Sequence, residues 1–178
     1  MLGAWEYGRM VAGTGSWGPV LSGERVRLQP LDSRLARAML AGVPESDLAW
    51  AEGFPMTPVL DIARTIAAAS EPLGPFLAYV IVLESDGTAI GDAGFHGPPN
   101  ADGELEVGYA VVPAARGLGL GGEAVGLLLA WARSQPGVRA ITARVDRGNG
   151  ASERLLSRLG FVFDGERDGL QRFVHRLS

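Results

Sequence analysis

The chain contains no cysteine. Disulfides, thiolate metal sites and an acyl-cysteine intermediate are thereby excluded, and no metal is expected. It also lacks the run of roughly 18 apolar residues that a membrane-spanning helix requires. Residues 1–20 carry Glu6 and Arg9 within their apolar part and have no basic start followed by an apolar core, so they do not read as a secretory leader. Positive charge is not in excess either. Sixteen basic side chains against 20 acidic ones leave a formal net charge of −4 and a pI near 5.2, and no global basic field attracts nucleic acid. Internal repeats and low-complexity tracts are absent. What remains is a chain of 178 residues, 47% hydrophobic and 20% charged, long enough for one sizeable core and too short for two comfortable domains. The expectation is a cytoplasmic protein with an irregular arm over residues 1–20 and one domain over 21–178.

Period and punctuation divide the chain into elements. Residues 24–31 alternate polar and apolar as a half-buried strand. Asp32 caps a short helix that Gly42 ends. A connector over residues 44–56 carries Trp50 and Phe54 with Glu45, Asp47 and Glu52, and Thr57-Pro58 opens a second helix. Residues 76–83 and 88–96 form a hairpin around Asp86-Gly87. Residues 104–112 make a third strand of this group. It leads into a glycine turn and a helix with Ala124, Leu127, Leu128 and Trp131 on one stripe. A strand over 138–145, a helix over 151–159 with Leu155, Leu156 and Leu159 inward, and a hairpin around Asp168-Gly169 complete the chain. The order describes one α/β domain with a mixed sheet.

The stretch 104–130 organises the rest. An apolar strand passes through Pro113 into Arg116-Gly117-Leu118-Gly119-Leu120-Gly121-Gly122, and an apolar helix starts at once. Glycine leaves backbone N–H groups bare, and the first turn of a helix adds unpaired N–H groups and partial positive charge, a combination suited to phosphate or pyrophosphate. A nucleoside-triphosphate loop needs Lys-Ser/Thr after its last glycine, whereas Gly122 is followed by Glu123. The dinucleotide fingerprint is matched literally by Gly117, Gly119 and Gly122, with Asp146 near the place of a ribose-binding acid. Against it stand four residues between strand and first glycine, and only 32 residues after Asp146.

The third reading draws on more of the chain. Arg116-x-x-Gly119-x-Gly121 resembles the acetyl-CoA pyrophosphate motif of GNAT-type N-acetyltransferases. The run from Asn149 through Ala151, Ser152 and Leu156 to Gly160-Phe161 resembles the second signature of that family in its RimJ/RimL-like branch, which acetylates the N-termini of ribosomal proteins. Glu106-x-Gly108-Tyr109 and Arg25-Val26-Arg27-Leu28-Gln29-Pro30-Leu31 are similar to the same branch, so the resemblance covers about residues 22–177.

The resemblance implies an α/β (α+β) single-domain fold whose mixed, mostly antiparallel sheet splays at the acetyl-CoA site between flanking helices. It implies direct acetyl transfer from acetyl-CoA to a primary amine in a ternary complex. The pantetheine arm would pair with the main chain of Val111 and Val112. The pyrophosphate would sit on Arg116, Gly117, Leu118, Gly119, Leu120, Gly121 and Gly122, and Asn149 would hydrogen-bond the arm. Glu106 is the first candidate base, with Glu104 two residues earlier as the alternative. Ser152 either donates to the leaving sulfur or caps its helix. Many family members carry a tyrosine seven residues after the asparagine to protonate that sulfur; here the position is Leu156. His96, Trp50 and Phe54 are placed in the acceptor pocket, and His175 at an edge or interface. The expected partner is an amine, either a peptide N-terminus or a small molecule, with no nucleic acid and no membrane, and with room for a homodimer. A catalytically weak acyl-CoA-binding module and a dinucleotide-binding protein are the competing functions.

Overall fold

In Val26-Arg27-Leu28-Gln29-Pro30 the odd and even positions divide cleanly: Val26, Leu28 and Pro30 are buried, while Arg27 and Gln29 are half-buried. That alternation is the mark of a strand with one face on a core. The structure, a computed structural model, describes residues 17–45 and 48–177. Most of the expected N-terminal arm, together with Asp47, therefore lies outside the described residues.

The strand just described is β2 (Val26–Pro30), preceded by the short β1 (Leu21–Ser22). After it come β3 (Ala49–Trp50), β4 (Ala78–Leu83), β5 (Thr88–Phe95), β6 (Glu104–Val111), β7 (Ala140–Asp146), β8 (Val162–Arg167) and β9 (Leu170–Arg176). They form a nine-stranded sheet in the order β1-β2-β4-β5-β6-β7-β9-β8, with β3 beside β5. Pairings are antiparallel except β3 with β5 and β6 with β7. Among the described residues, four helices join them: α1 (Ser33–Ala41), α2 (Thr57–Ala68), α3 (Leu120–Ala132) and α4 (Gly150–Arg158). This is a mixed, mostly antiparallel sheet flanked by helices. It rules out the doubly wound parallel sheet that a dinucleotide fingerprint needs, because the strand feeding the glycine turn runs antiparallel to β5.

Local chemistry accounts for most boundaries. The Asp32 carboxylate accepts from the Leu35 N–H at 2.8 Å, and Gly42 ends α1 at φ 69°. Thr57 does not cap α2; it is the first helical residue, and Met56 precedes it in extended conformation without a side-chain cap. Asp168 and Gly169 both have positive φ, the requirement of a tight turn that follows the twist of β8 and β9.

The core stripe of α3 differs from the expected one. Leu120, Ala124, Val125, Leu128, Leu129 and Ala132 are buried, while Leu127 and Trp131 are only half-buried. A helix apolar nearly all round offers several possible stripes, and the sheet decides between them. α3 lies across β1, β2, β5 and β6, and Trp131 packs its ring on Phe76 and Phe95 at centroid distances of 5.3 and 5.8 Å. In α4 only Leu156 of the three expected leucines is fully buried; Leu155 and Leu159 pack from the margin.

Candidate functional site

The two edges of β6 are treated differently. Toward β5 it is paired from Val107↔Phe95 to Val111↔Gly91. Toward β7 it is paired only at Glu104↔Ala140, Leu105↔Ile141 and Glu106↔Thr142, the last rung braced by the Thr142 hydroxyl on the Leu105 carbonyl at 3.4 Å. β7 meanwhile stays with β9 along its whole length. Beyond Glu106 the two strands therefore part, as the splay in the central sheet requires.

Hydrogen bonds from Val112 N–H to Ile90 O and from His96 N–H to Glu106 O, both 2.9 Å, turn the even-numbered main-chain groups of β6 toward β5. Those of Tyr109 and Val111, with the Val107 carbonyl, consequently face the gap. Unpaired strand edges of this kind are costly when dry and are a template for an extended chain. Val112, expected beside Val111 in that role, is already engaged. Its N–H is bonded to Ile90, and its carbonyl accepts from the Ala115 N–H at 3.0 Å, so the sheet and the following turn use both groups.

At the end of β6 a single 3-10 turn, Pro113–Ala115, leads to the glycine loop. Gly117 and Gly119 hold φ values of 76° and 80°, a region that favours glycine. Gly121 and Gly122 lie in the first turn of α3, where neither backbone nor packing demands glycine. A Cβ at either would meet only ordinary contacts with Leu155, Tyr109 or Val111, at 3.7 Å or more. Their consequence is to leave the helix's first N–H groups uncovered, at the positive end of its dipole. Arg116 sends its Nε to the Val111 carbonyl at 3.2 Å and so stands between gap and loop.

The loop is held from behind. Arg25 donates from Nη1 to the Leu118 carbonyl at 2.9 Å and from Nε to Glu123 Oε2 at 2.9 Å. Glu123 Oε1 also accepts the Arg25 and Val26 N–H groups at 2.7 and 3.2 Å. Desolvation alone would raise the Glu123 pKa, but these bonds from Arg25 and Val26 outweigh it and hold it low.

Across the gap, Asn149 precedes α4 and its side-chain oxygen accepts the Ser152 N–H at 3.2 Å. Asn149 is thus the cap, and the Ser152 hydroxyl is left for other work. That hydroxyl is buried beside the Tyr109 hydroxyl, close enough for the two to interact but without an aligned hydrogen bond. Leu156 is 0% exposed and belongs to the core.

The opposite face of β6 is acidic. Glu106 Oε1 accepts from Arg144 Nε at 2.7 Å and meets His96 Nδ1 at 3.2 Å. Partial burial pushes its pKa up, yet hydrogen bonds and charge from His96 and Arg144 bring it below the ordinary carboxylate value. Glu104 is engaged by Arg172 Nη2 at 2.8 Å and by Asn100 Nδ2 at 3.3 Å, and Arg172 continues to Asp164 on β8. The alternative base is thereby tied to the outer strands.

Trp50 and Phe54 make an edge-to-face pair at 6.0 Å; Phe54 is 6% exposed and part of the core, with Trp50 packed at its margin. Of the connector acids, Glu45 pairs with Arg34 at 2.9 Å and Glu52 is exposed, while Asp47 lies outside the described residues. His175 contacts Arg133 at 3.2 Å and the Phe161 ring, away from the gap. Among the described residues no cluster of three or more His, Asp or Glu is disposed to hold a metal, and no helix is long and apolar enough to cross a membrane.

Three residues escaped the sequence reading. Arg144 was legible only with the β6–β7 register in hand. Tyr109 was read as part of a signature rather than as a hydroxyl. Asp92, fully buried in β5 without a hydrogen-bond partner among the described residues, carried one signal: an acid inside a strand of apolar and glycine residues.

Comparison with known proteins agrees with this geometry. Residues 25–162 match the acetyltransferase (GNAT) domain family. The chain is 35% identical over 89 residues to the uncharacterized N-acetyltransferase YjdG of Bacillus subtilis (strain 168); that stretch is 50% of this chain and 53% of the relative, so the chain spans about half of the relative's length. It superposes on a protein from Bordetella pertussis assigned to the GNAT acetyltransferases, with TM-score 0.60 and 25% identity over 90% of this chain and 99% of the other. Its fold is also that of Mycobacterium smegmatis RimJ in complex with CoA-disulfide, with TM-score 0.61 and 24% identity over 88% and 84% of the two chains. With the splayed strand, the glycine turn and α4 all inside the matched residues, the chain belongs to the GNAT acetyltransferase domain family.

Proposed function

We propose that this protein is an acetyl-CoA-dependent N-acetyltransferase that moves the acetyl group directly to a primary amine. The observation that carries the reading is a coincidence on one strand. β6 parts from β7 after Glu106 and ends at a bare helix N-terminus. An extended arm laid in the gap would find the Val107, Tyr109 and Val111 main chain, and its pyrophosphate would reach the N–H groups from Gly117 to Gly122 with Arg116 beside them. The length of β6 sets the distance between the two contacts.

The Val111 N–H, aimed into the gap, is the donor suited to the thioester oxygen as charge develops on it. Glu106 is an anion throughout the physiological range, because Arg144 and His96 favour its charged form. It suits the removal of the amine's proton, directly or through a water, better than the storage of one. With no cysteine in the chain, the amine attacks the thioester itself in a ternary complex. The acceptor is a peptide N-terminus, as in the RimJ/RimL-like branch whose motifs the chain's resemble, or else a small amine. The amine approaches from the face that holds Glu106 and His96, with Trp50 at the margin.

The test has two steps. Calorimetric titration with acetyl-CoA, CoA and NAD(P) should give binding of the first two only. Thiol release from acetyl-CoA across a panel of amines and peptides with free N-termini should then exceed hydrolysis. Binding without turnover on any acceptor would replace the enzyme by an acyl-CoA-binding module. All 16 basic residues are arginine, so no lysine of the enzyme can take the acetyl group and blur the assay.

A further inference from the structure

We propose that Tyr109 supplies the proton to the departing CoA sulfur, the role that Leu156 cannot fill. The inference rests on the acetyltransferase reading above. Tyr109 lies in the unpaired stretch of β6, three residues beyond the last rung with β7. Its side chain points toward the first turn of α3, with Cδ2 at 3.7 Å from where a Cβ on Gly121 would stand. The same spot is 3.8 Å from Leu155 of α4 and 3.8 Å from Val111. Tyr109 therefore bridges the two walls of the gap, with its ring against the α3 side and its hydroxyl beside Ser152 on the α4 side.

That hydroxyl is buried and has no aligned hydrogen-bond partner among the described residues. A buried tyrosine ordinarily finds a partner for its O–H, and leaving one unmatched costs stability that phenylalanine at the same place would not. Of the groups beside Tyr109, Val111 and Leu155 have no proton to give, the Ser152 alcohol is a weaker acid than a phenol, and Leu156 is in the core. Burial raises the Tyr109 pKa above that of an ordinary phenol, only partly offset by Ser152, so the hydroxyl keeps its proton at neutral pH and is a donor rather than a base.

The step balances without an outside reactant other than water. The amine nitrogen bonds to the thioester carbonyl carbon, the C–S bond breaks, and its electron pair passes to sulfur. Sulfur takes the Tyr109 proton as the phenol oxygen takes one from water, directly or through the Ser152 hydroxyl, so that no free phenolate, a stronger base than the thiolate, is left. The proton lost by the amine leaves by way of Glu106.

The experiment compares wild type, Tyr109→Phe and Ser152→Ala, with acetyl-CoA and free CoA as probes. Two readouts are taken: thiol release with peptide acceptors, and titration of the enzyme-bound CoA thiol by thiolate absorbance. Tyr109→Phe should fold with an equal or higher melting temperature and bind CoA within about twofold of wild type. It should lower kcat about 100-fold, the scale of a positioned general acid, and raise the pH at which bound CoA ionises. Ser152→Ala should give a smaller loss of the same kind. An unchanged thiol titration in Tyr109→Phe, or a full loss confined to Ser152→Ala, overturns the assignment. Failure of the wild type to bind CoA overturns the acetyltransferase reading instead, a result seen before any variant is made.

Discussion

On the face of β6 turned toward α3, Val107, Tyr109 and Val111 meet apolar neighbours and a single buried hydroxyl; on the other, Glu104 and Glu106 are each gripped by an arginine from a neighbouring strand. Both faces come from one eight-residue strand, GluLeuGluValGlyTyrAlaVal, read with a period of two. The α3 face is made of groups that need a ligand to be satisfied: main-chain donors at a strand edge, bare helix N–H groups, an orphan O–H. Glu104 and Glu106 on the other face are already satisfied by protein. A co-substrate of fixed chemistry can be met by a prepared, unfilled surface, while the proton-handling side is held by its own ion pairs.

The sharpest break in this comparison is Gly122→Asp. A side chain there meets only Leu155 at 3.7 Å, and a carboxylate in the first turn of a helix is favourable by roughly 0.3–1 kcal/mol, so the fold should hold. The same charge would stand where the pyrophosphate is to bind. The expected outcome is a melting temperature at or above wild type with acetyl-CoA affinity reduced more than about 100-fold, measured by calorimetry. Retained affinity would move the phosphate site away from α3.

On the other face, Glu106→Gln should lower kcat by about 10- to 100-fold while leaving acetyl-CoA affinity unchanged. The pH profile separates a base from a structural acid. Because His96 and Arg144 lower the Glu106 pKa, the wild-type acidic limb should fall below the ordinary carboxylate range. Arg144→Met removes one of those influences and should move the limb upward. An identical limb in wild type and Arg144→Met would take Glu106 out of the proton path.

The difference between the faces also explains what the sequence could carry. The glycine loop was legible because its chemistry is local: Gly117 and Gly119 need their backbone conformation, and Arg116 stands next to them in the chain. The Asp32 cap and the Asp168-Gly169 turn were legible for the same reason. The loss of Val112 to the sheet was not, since it follows from pairing with Ile90 across the hairpin. Nor was the Glu106–Arg144 pair, 38 positions apart, which exists only because β7 returns parallel to β6 for three rungs. The α3 stripe failed where the pattern itself was degenerate: a helix with almost no polar side fits several faces, and only the sheet beneath it selects one. The connector acids show the same limit: the pairing of Glu45 with Arg34 exists only in the fold.

Asp92 gives the smallest effect and the cleanest contrast within the acidic face. It pairs across to Ala110 in β6, and so shares the side of Glu106, yet it is 0% exposed and no partner among the described residues holds it. Burial alone raises its pKa from 3.8 to about 7. Below about pH 3.8 the carboxyl is neutral in both folded and unfolded chains and imposes no penalty. As pH rises toward 7 the unfolded chain ionises first, stability is lost, and above 7 the loss is constant. Asparagine cannot ionise, so Asp92→Asn should equal wild type near pH 4 and exceed it near pH 8. The gain should be on the order of 1–2 kcal/mol, since water entry relieves part of a buried charge's cost. Denaturant unfolding at the two pH values measures it. Equal stability at both would mean that the folded chain already supplies Asp92 with a hydrogen-bond donor, and the contrast with Glu106 would lie in exposure rather than in pairing.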